Sequence, residues 1–307
     1  MKNERTISYA SDEKIRIDHY LKQQGIYPSR SQVKNSIILG QTRVNESKVK
    51  PSYLLKNGDR INIALIEEKE LEINAENIPL NIIYEDDHLI IIDKAADMIV
   101  HPAGRIRSGT LVNAILFHCK ESLSGINGVI RPGIVHRLDK NTTGLLIIAK
   151  NNLAHLDLSK QIKDRQVVKK YLALVHGKVR DADGIINAPI GRSLKNRKKM
   201  AVLEQNSREA ISQFKVIRWY AKHTLLEVTI VTGRTHQIRV HLAYIGFPIV
   251  GDSNYGYRKQ DISFARQALH AHYIRFIHPF TKKMLEFNAP MPKDMKELLE
   301  SLKAEKK

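Results

Sequence analysis

Charged and polar side chains cluster just before one apolar run of this chain. The segment IVHRLDKNTTGLLIIAK, residues 134–150, places His136, Arg137 and Asp139 ahead of Leu145–Ala149. An unbroken apolar run of this length is typical of a strand that is buried on both faces. The charged residues in front of it are therefore either an ordinary solvated turn or a reactive site that the strand holds rigidly.

Two further segments carry side chains suited to chemistry. KKYLALVHG places Tyr171 at the start of an apolar strand, and TGRTHQIRVHLAYIG places Arg234 and Arg239 in a short helix-like stretch. Each residue has an ordinary explanation when it is taken alone. Asp139 fits a turn or cap carboxylate, Tyr171 an aromatic residue of an edge strand, and Arg239 a solvated helix residue. Their joint occurrence in one strongly basic chain favours a common site.

The composition indicates a polyanionic partner. The 307 residues include 50 Lys and Arg against 32 Asp and Glu, which gives a formal charge of +18. An excess this large favours RNA or DNA ahead of a membrane surface. The one cysteine, Cys119, excludes an internal disulfide framework and fits a reducing cytoplasm. With neither a signal-peptide core nor a run near ~18 apolar residues, we expect a soluble cytoplasmic protein.

The sequence lacks the common motifs for cofactors and metals. It contains no G-x-x-x-x-G-K-[ST] phosphate loop, no G-x-S-x-G elbow and no H-E-x-x-H pair. A single cysteine cannot supply a thiolate zinc site. We therefore expect no cofactor and no required metal.

The distribution of charge divides the chain. Residues 1–65 hold 12 basic and 6 acidic side chains, net +6, whereas residues 66–76 hold five Glu and one Lys, net −4. RNA would repel the acidic stretch, which is therefore interpreted as a linker. The predicted parts are an N-terminal tail, an RNA-binding module, an acidic linker and a catalytic domain, over 1–12, 13–65, 66–79 and 80–307.

The first 65 residues resemble the alpha-L RNA-binding domain that is shared by a ribosomal small-subunit protein, bacterial tyrosyl-tRNA synthetases and several RNA-modifying enzymes. The match rests on two short predicted helices, on SRSQ at 29–32 and on KNGD at 56–59. Basic residues on one face of such a module would contact phosphates. The residues predicted for this face are Arg30, Lys34, Arg43, Lys48 and Lys50.

HRLDK at 136–140, followed by TTGLL at 142–146, resembles the signature of the RluA/RluD-type pseudouridine synthases, which modify ribosomal and transfer RNA. The resemblance extends over essentially the whole chain and includes Lys170-Tyr171 and GRTHQIR at 233–239. It implies an α+β fold, with a mostly antiparallel central sheet flanked by helices and preceded by a small α/β RNA-binding module.

The chain departs from the family pattern at two places. It has NTT at 141–143 where the family usually has Asp-Thr-Ser, and AAD at 95–97 where the family usually has Pro-Ala-Gly. Neither departure removes a reactive group. They bear on substrate choice and loop shape.

The resemblance also assigns roles to single residues. Asp139 is implied as the catalytic carboxylate, either as the nucleophile at C1′ or as the base that removes the C2′ proton. Arg239 would hold Asp139 with two parallel hydrogen bonds and keep it ionised. Tyr171 would lie against the flipped uracil and assist proton removal at C5. Isomerisation adds and removes no atoms, so these residues need no cofactor.

Further residues are implied in RNA binding. Arg137, next to the acid, resembles the family residue that helps to hold the base flipped, because it fills the vacated space. His136 and Arg234 lie in the same motifs. The basic hairpin IGRSLKNRKKM would clamp phosphates. Its predicted contacts are Arg192, Lys195, Arg197, Lys198 and Lys199.

The implied function is isomerisation of specific uridines to pseudouridine in large-subunit ribosomal RNA, free or within a pre-ribosomal particle, by a monomer with no membrane partner. One alternative is a synthase that acts on transfer RNA. Another is an RNA-binding ribosome assembly factor without catalysis. A base-releasing glycosylase would need a second acid to activate water, and the sequence points to none.

Overall fold

The computed structural model divides into two compact units, Met1–Glu72 and Ile73–Lys307. The structure describes residues 3–27, 30–65, 73–102, 106–119, 133–197, 199–259 and 261–304.

The first unit packs two helices on a small antiparallel sheet. The helices are α1 (Ile17–Gln23) and α2 (Arg30–Leu39). The sheet contains β1 (Asn3–Ser8), β2 (Thr42–Val44) and β3 (Arg60–Leu65), in the order β1-β3-β2. Buried apolar residues of both helices and of the sheet form one core. A core of its own is what an independently folding module requires.

The predicted tail over residues 1–12 is wrong for its greater part. Asn3–Ser8 is strand β1, which pairs with β3 from Asn3–Leu65 to Ser8–Arg60, and Tyr9 is buried in the core of the unit. The sequence NERTIS has one apolar residue because this edge strand meets the core with little of its surface. The module therefore begins at or before Asn3.

A large sheet forms the centre of the second unit. Its described strands are β4 (Ile82–Glu85), β5 (Leu89–Lys94), β6 (Thr143–Ala149), β7 (Val168–His176), β8 (Asp183–Asn187), β12 (Ile211–Trp219), β13 (His223–Ile230), β14 (Leu269–Ile277) and β15 (Met284–Asn288). A small second sheet contains β9 (Ile190–Arg192), β10 (Met200–Val202) and β11 (Ser207–Arg208). The helices are α3 (Leu111–Cys119), α4 (Asn152–Lys163), α5 (Gln237–Tyr244) and α6 (Lys293–Ala304). Within the described residues, no helix combines the length and the apolar character needed to cross a membrane.

The strand order of the large sheet is β4-β5-β6-β14-β7-β13-β12-β8, and β15 also pairs with β14. Among the described pairs, β6 with β14 is parallel and the others are antiparallel. Strand β14 comes late in the chain and enters between β6 and β7, so neighbouring strands of the sheet come from segments that are far apart in the sequence. The expected mostly antiparallel sheet with flanking helices is confirmed.

Strand β6 is the buried support that the sequence indicates. All seven of its residues are buried. Leu146 and Ile148 pack into the same core as residues of α3 and α6, whereas Leu145 and Ile147 pack with residues of α4 on the other face. A strand covered on both faces has little freedom to move, so the loop that precedes it has a rigid anchor.

Gly144 allows β6 to approach β14 closely. Its φ is +113°, and a Cβ added there would lie 2.2 Å from the carbonyl oxygen of Ala271. Only glycine adopts such a conformation without steric cost and leaves this space to the neighbouring backbone. The approach fixes the distance between the loop before β6 and the strands beside it.

The predicted linker over 66–79 is too long. Residues 66–72 lie outside the described residues, but 73–79 packs on the second unit. Glu76 N donates to Asn113 O at 3.0 Å, its carboxylate accepts from Gly109 N at 2.9 Å, and Asn113 Nδ2 donates to Asn74 O at 2.7 Å. Glu76 is thus bonded to the second unit rather than part of a free tether.

Candidate active site

A cavity of about 290 Å³ lies between the loop before β6, strand β7 and the start of α5. Asp139, Tyr171 and Arg239 all line it. Small-molecule sites usually enclose about 300 to 1,000 Å³, so the cavity suits one nucleoside rather than a longer strand. The three residues that the sequence singled out therefore meet in one place.

Arg239 joins two carboxylates. Its Nη1 donates to Asp139 Oδ2 at 2.8 Å, while Nε and Nη2 donate to Asp252 Oδ2 and Oδ1 at 2.6 and 2.9 Å. The predicted pair of parallel hydrogen bonds is thus made to Asp252, and Asp139 receives one. Arg239 is 4% exposed, which excludes a solvated helix residue. Such a paired contact fixes the plane of the guanidinium, so that one of its other N–H groups points at Asp139.

Asp252 owes its position to a tight turn. Gly251 has a φ of +76°, and a Cβ there would lie 2.0 Å from Arg266 O. Asp252 is buried and accepts hydrogen bonds from Asn254 N and Tyr255 N at 2.9 and 3.0 Å. Burial by itself would raise its pKa, but the hydrogen bond from Arg239 and these backbone donors hold the pKa below its ordinary value. The carboxylate is therefore ionised.

Arg239 is charged over the whole working range of pH. Burial opposes the charge, but the hydrogen bonds and attraction of Asp252 and then Asp139 raise the pKa of Arg239 above its ordinary value. The ring of Tyr255 lies 5.1 Å from Arg239 Cζ and covers the guanidinium. Tyr255 Oη also hydrogen-bonds His236 Nδ1 at 2.8 Å, and His236 Nε2 is 3.9 Å from Asp139 Oδ1.

Tyr171 lies on an interior strand, because β7 is paired with both β13 and β14. The edge-strand explanation is thereby excluded. Burial, followed by the negative charge of Asp139, raises the pKa of Tyr171 above its ordinary value. A phenol that stays neutral is a poor proton acceptor. The environment therefore suits contact with a base ring better than proton removal.

His136 holds its loop to β6. Its Nε2 accepts a hydrogen bond from Ile147 N at 3.0 Å, which requires that nitrogen to be unprotonated. Burial, with a smaller effect from the charge of Lys169, lowers the pKa of His136 from 6.5 to about 3. The ring is thus neutral and engaged with the sheet, whereas the next residue, Arg137, is exposed at the cavity.

Lys94 holds the other side of the Asp139 loop and was missed by sequence reasoning. Its Nζ donates to the carbonyl oxygens of Ala95, Met98 and Lys140 at 2.7, 3.0 and 2.9 Å. Burial lowers the pKa of Lys94 to about 7. The one signal in the sequence is a lysine at the end of the apolar run LIIIDK, which ordinarily marks a strand end.

The predicted basic hairpin is formed by β9 and β10, which pair antiparallel. Arg192, Lys195 and Arg197 are exposed there, and Lys198 lies outside the described residues. Lys199 is not free, because its Nζ donates to Asn254 O beside the turn of Asp252. The hairpin therefore both presents cations and supports the acid network.

The remaining predicted RNA contacts differ in their availability. Arg234 lines the cavity, and its Nε donates to Glu209 O at 2.8 Å. In the first unit, Arg30 forms an ion pair with the buried Asp18 at 3.0 Å, so part of its charge is already neutralised. The other residues predicted for this face, Lys34, Arg43, Lys48 and Lys50, are exposed.

One cluster has ligands suited to a divalent cation. Asp261 Oδ1 lies 3.3 Å from His176 Nδ1 and from His223 Nε2. None of the three lines the cavity. Among the described residues that line the cavity, Asp139 is the one carboxylate, and Arg239 already binds it. The cluster therefore takes no direct part in chemistry at Asp139.

Comparison with known proteins extends these observations. The family profile described as RNA pseudouridylate synthase matches residues 88–244, and the profile described as S4 domain matches residues 15–61. The first covers most of the segments that line the cavity. The second confirms the predicted ribosomal-protein-like module.

Three similar proteins show how far the likeness extends. An uncharacterized RNA pseudouridine synthase YlyB of Bacillus subtilis is 46% identical, over 98% of this chain and 99% of its own. Ribosomal large subunit pseudouridine synthase D of Zymomonas mobilis is 40% identical, over 89% of each chain. The solved structure of human RNA pseudouridylate synthase domain containing 1 has a TM-score of 0.57 and 25% identity, over 75% of this chain and 97% of its own.

Proposed function

This chain belongs to the RNA pseudouridylate synthase family, and from that premise we propose that it isomerises specific uridines of large-subunit ribosomal RNA, using Asp139 on a flipped nucleotide. The observation that carries the proposal is the contact of Asp139 with Arg239 in a cavity of nucleoside size. The reaction breaks the bond from N1 to C1′, turns the detached uracil and joins C5 to C1′.

Access to the cavity requires the uridine to leave its stack, at a cost of a few kcal/mol. Arg137 is exposed at the cavity, where it can occupy the space that the base leaves. Tyr171, on the cavity wall, offers its ring to the flipped base. These two contacts would hold the nucleotide out of the helix long enough for reaction.

Asp139 has one oxygen available for chemistry. Arg239 binds Oδ2, and Oδ1 accepts no hydrogen bond from the described residues, with His236 Nε2 at 3.9 Å. In one route Oδ1 attacks C1′, uracil leaves with the bonding pair, and C5 later displaces the carboxylate. In the other route Oδ1 takes the C2′ proton, uracil leaves as the sugar forms a double bond, and the proton returns when C5 adds. In both routes C5 loses its proton and N1 gains one.

The substrate assignment rests on the relatives and on charge. Several similar proteins at about 40% identity are named ribosomal large subunit pseudouridine synthase D, among them those of Zymomonas mobilis and Vibrio vulnificus. The first 65 residues add a net charge of +6 in an S4 domain. Such a module increases affinity for a large folded RNA. We place the enzyme in the cytoplasm as a monomer acting on ribosomal RNA, free or in a pre-ribosomal particle.

The test incubates the purified protein with large-subunit ribosomal RNA and, separately, with transfer RNA. Nucleosides are then analysed by mass, and modified positions are mapped after carbodiimide labelling. We expect nucleosides of unchanged mass that react with carbodiimide at a few positions of the ribosomal RNA. Modification of transfer RNA alone would overturn the substrate assignment.

The same samples distinguish the rival functions. A glycosylase would release free uracil and leave abasic sites. An assembly factor would bind RNA without altering any nucleoside. Asp139→Asn is the matched control, since it should remove product formation and retain RNA binding.

A further inference from the structure

Lys169 stands beside Tyr171 in the cavity. The two residues are two positions apart on β7, so they lie on the same face of the strand, about 7 Å apart along it. Both line the cavity, and Lys169 is 9% exposed. Lys170, between them, points to the other face, where its Nζ donates to Glu227 at 3.1 Å.

The ammonium of Lys169 has no partner among the residues that the structure describes. It forms neither a hydrogen bond nor an ion pair with them, and it is not within ion-pair distance of Asp139. Gly233 covers it with bare backbone, since a Cβ at Gly233 would lie 4.0 Å from Lys169 Nζ. His136 is neutral and adds no counter-charge. Burial lowers the pKa of Lys169 to about 8.

An ammonium in a mostly buried position needs electron-rich partners to replace the hydration that it loses, and Lys169 Nζ is not sealed from the cavity, so a group that enters the cavity can supply them. Lys94, the other buried lysine beside the site, meets this requirement with three backbone carbonyls. Lys169 lacks such a set. Its position on the wall of a substrate cavity indicates that the missing electron-rich group belongs to the substrate.

The layout of the cavity indicates which substrate group that is. Under the proposed function, C1′ lies at Asp139 and the uracil ring lies over Tyr171. C4 is opposite N1 across the ring, so its carbonyl oxygen is the group directed away from C1′ and towards Lys169. Phosphates remain outside the cavity, where Arg137 is exposed.

When the detached base turns, its second carbonyl oxygen takes the position that the first one occupied beside Lys169. Joining C5 in place of N1 requires a half-turn about the line through N3 and C6. This turn exchanges N1 with C5 and exchanges the C2 carbonyl with the C4 carbonyl. A cation that contacts O4 before the turn therefore contacts O2 after it. Between the two states the base carries the electron pair of the broken bond, spread over its nitrogen and carbonyl oxygens.

We propose that Lys169 is a catalytic residue whose ammonium binds the uracil carbonyl farthest from C1′ and stabilises the anionic detached base through its half-turn. The inference rests on the proposed function. Lys169 neither gains nor loses a proton in this step. The pair from the N1–C1′ bond leaves with uracil, and the base supplies a pair from C5 to form the new bond.

The test compares Lys169→Met and Lys169→Arg with the control Lys170→Met, which removes the neighbouring lysine on the opposite face. Single-turnover rates are measured with enzyme in excess over RNA, and RNA affinity is measured at several salt concentrations. We expect Lys169→Met to slow product formation roughly 100- to 1,000-fold, as loss of a donor to a developing oxyanion does. Its affinity and salt dependence should match wild type. Lys169→Arg should recover part of the rate, and Lys170→Met should stay near wild type.

The pH profile separates a charged contact from a packing role. In wild type kcat/KM should fall as pH rises above about 8, the pKa of Lys169, because the cation is lost. In Lys169→Arg this fall of kcat/KM should begin at higher pH, because arginine keeps its charge there. The other titratable or charged groups around the cavity are His101, His136, Arg137, Asp139, Tyr171, Arg234, His236 and Arg239. Of these, His136 and His236 have lowered pKa values and Tyr171 a raised one, so their titrations lie away from this fall.

Two outcomes overturn the assignment of Lys169. One is a Lys169→Met rate equal to that of Lys170→Met. The other is a loss confined to RNA affinity with a shallower salt dependence, which would place a phosphate at Lys169. If Lys169→Met does not melt cooperatively, the test depends on Lys169→Arg. A fall of kcat/KM at high pH that is the same in Lys169→Arg as in wild type would then overturn the assignment of Lys169. If wild type and Lys170→Met make no pseudouridine on any RNA, the proposed function fails first.

Discussion

Arg239 is bound more fully by Asp252 than by Asp139, with two hydrogen bonds of 2.6 and 2.9 Å against one of 2.8 Å. Asp252 thus fixes the arginine, and the arginine fixes Asp139. A guanidinium left to one surface carboxylate would sample many orientations. Held on two sides, it presents one N–H to Asp139 in a constant direction.

Asp252→Asn is expected to slow isomerisation by tens of fold although Asp252 touches no substrate. The amide keeps an acceptor for Asn254 N and Tyr255 N but loses one acceptor for Arg239. Single-turnover rates of Asp252→Asn, Arg239→Lys and the double variant form the measurement. Because both changes disturb one guanidinium, their losses should be less than additive. Fully additive losses would show that Asp252 does not act through Arg239.

Asp139→Asn should reduce turnover by more than about 1,000-fold, as removal of a reacting group does. RNA affinity should change little, because phosphate contacts supply most of it. Exposed Asp181→Asn, outside the cavity, is the control for loss of one negative charge. Activity of Asp139→Asn within tenfold of wild type would exclude Asp139 as the reacting acid.

Tyr171→Phe should bind RNA nearly as wild type does, whereas Tyr171→Ala should bind more weakly by about 1 to 3 kcal/mol, the usual value of one base stacked on an aromatic ring. Phe retains the ring face, and the hydroxyl that it lacks stays protonated because the pKa of Tyr171 is raised. Affinity for RNA carrying the target uridine is the measurement. Equal losses in both variants would refute stacking.

Acid should destabilise the fold partly through His136. Its pKa is about 3 in the folded protein and about 6.5 when unfolded, so the unfolded state binds the extra proton between these values. The stability contribution is complete above pH 6.5 and is lost as pH falls towards 3. His136→Gln keeps an acceptor for Ile147 N and cannot titrate. The free energy of unfolding of this variant should fall less steeply with acid, by up to about 1.4 kcal/mol per pH unit, the value for one proton. Equal slopes would contradict the prediction.

Deleting residues 1–72, at the boundary between the two compact units, should leave a folded and catalytically competent enzyme. The second unit has its own cores and contains every residue that lines the cavity. Affinity should fall, and each lost phosphate contact should reduce the steepness of log affinity against log salt by roughly 0.7 to 0.9. Turnover at saturating RNA is the decisive measurement.

Full-length protein with Lys34, Lys48 and Lys50 changed to Ala is the matched control for that deletion. It removes three exposed cations and keeps the fold of the first unit. We expect its salt dependence to lie between those of wild type and the deletion. A collapse of saturated turnover in the deletion, with cooperative melting retained, would mean that the first unit takes part in catalysis.

The sequence determined the local features of this protein. The unbroken apolar run at Leu145–Ala149 predicted β6. The HRLDK motif before it indicated the family and singled out Asp139 as the candidate catalytic residue. Two short helical segments with SRSQ at 29–32 and KNGD at 56–59 carried the resemblance that predicted the RNA-binding module of the first unit. These signals are local because apolar periodicity and turn chemistry depend on residues a few positions apart.

Tertiary structure decided which of these residues meet. Arg239 reaches Asp139 across 100 positions because the fold places the start of α5 beside the loop that precedes β6, and no local pattern encodes that placement. The sequence around Asp252 indicates an acid in a turn, and it would do so whether that acid faced water or a guanidinium. The contact of Asp252 with Arg239 is therefore visible only in the folded structure. Lys169 shares its face with Tyr171, which the alternation of a strand allowed, but its burial depends on Gly233 from a distant loop. Strand β1 was hidden for a related reason, since a sparsely apolar edge strand is defined by its partner rather than by its own sequence.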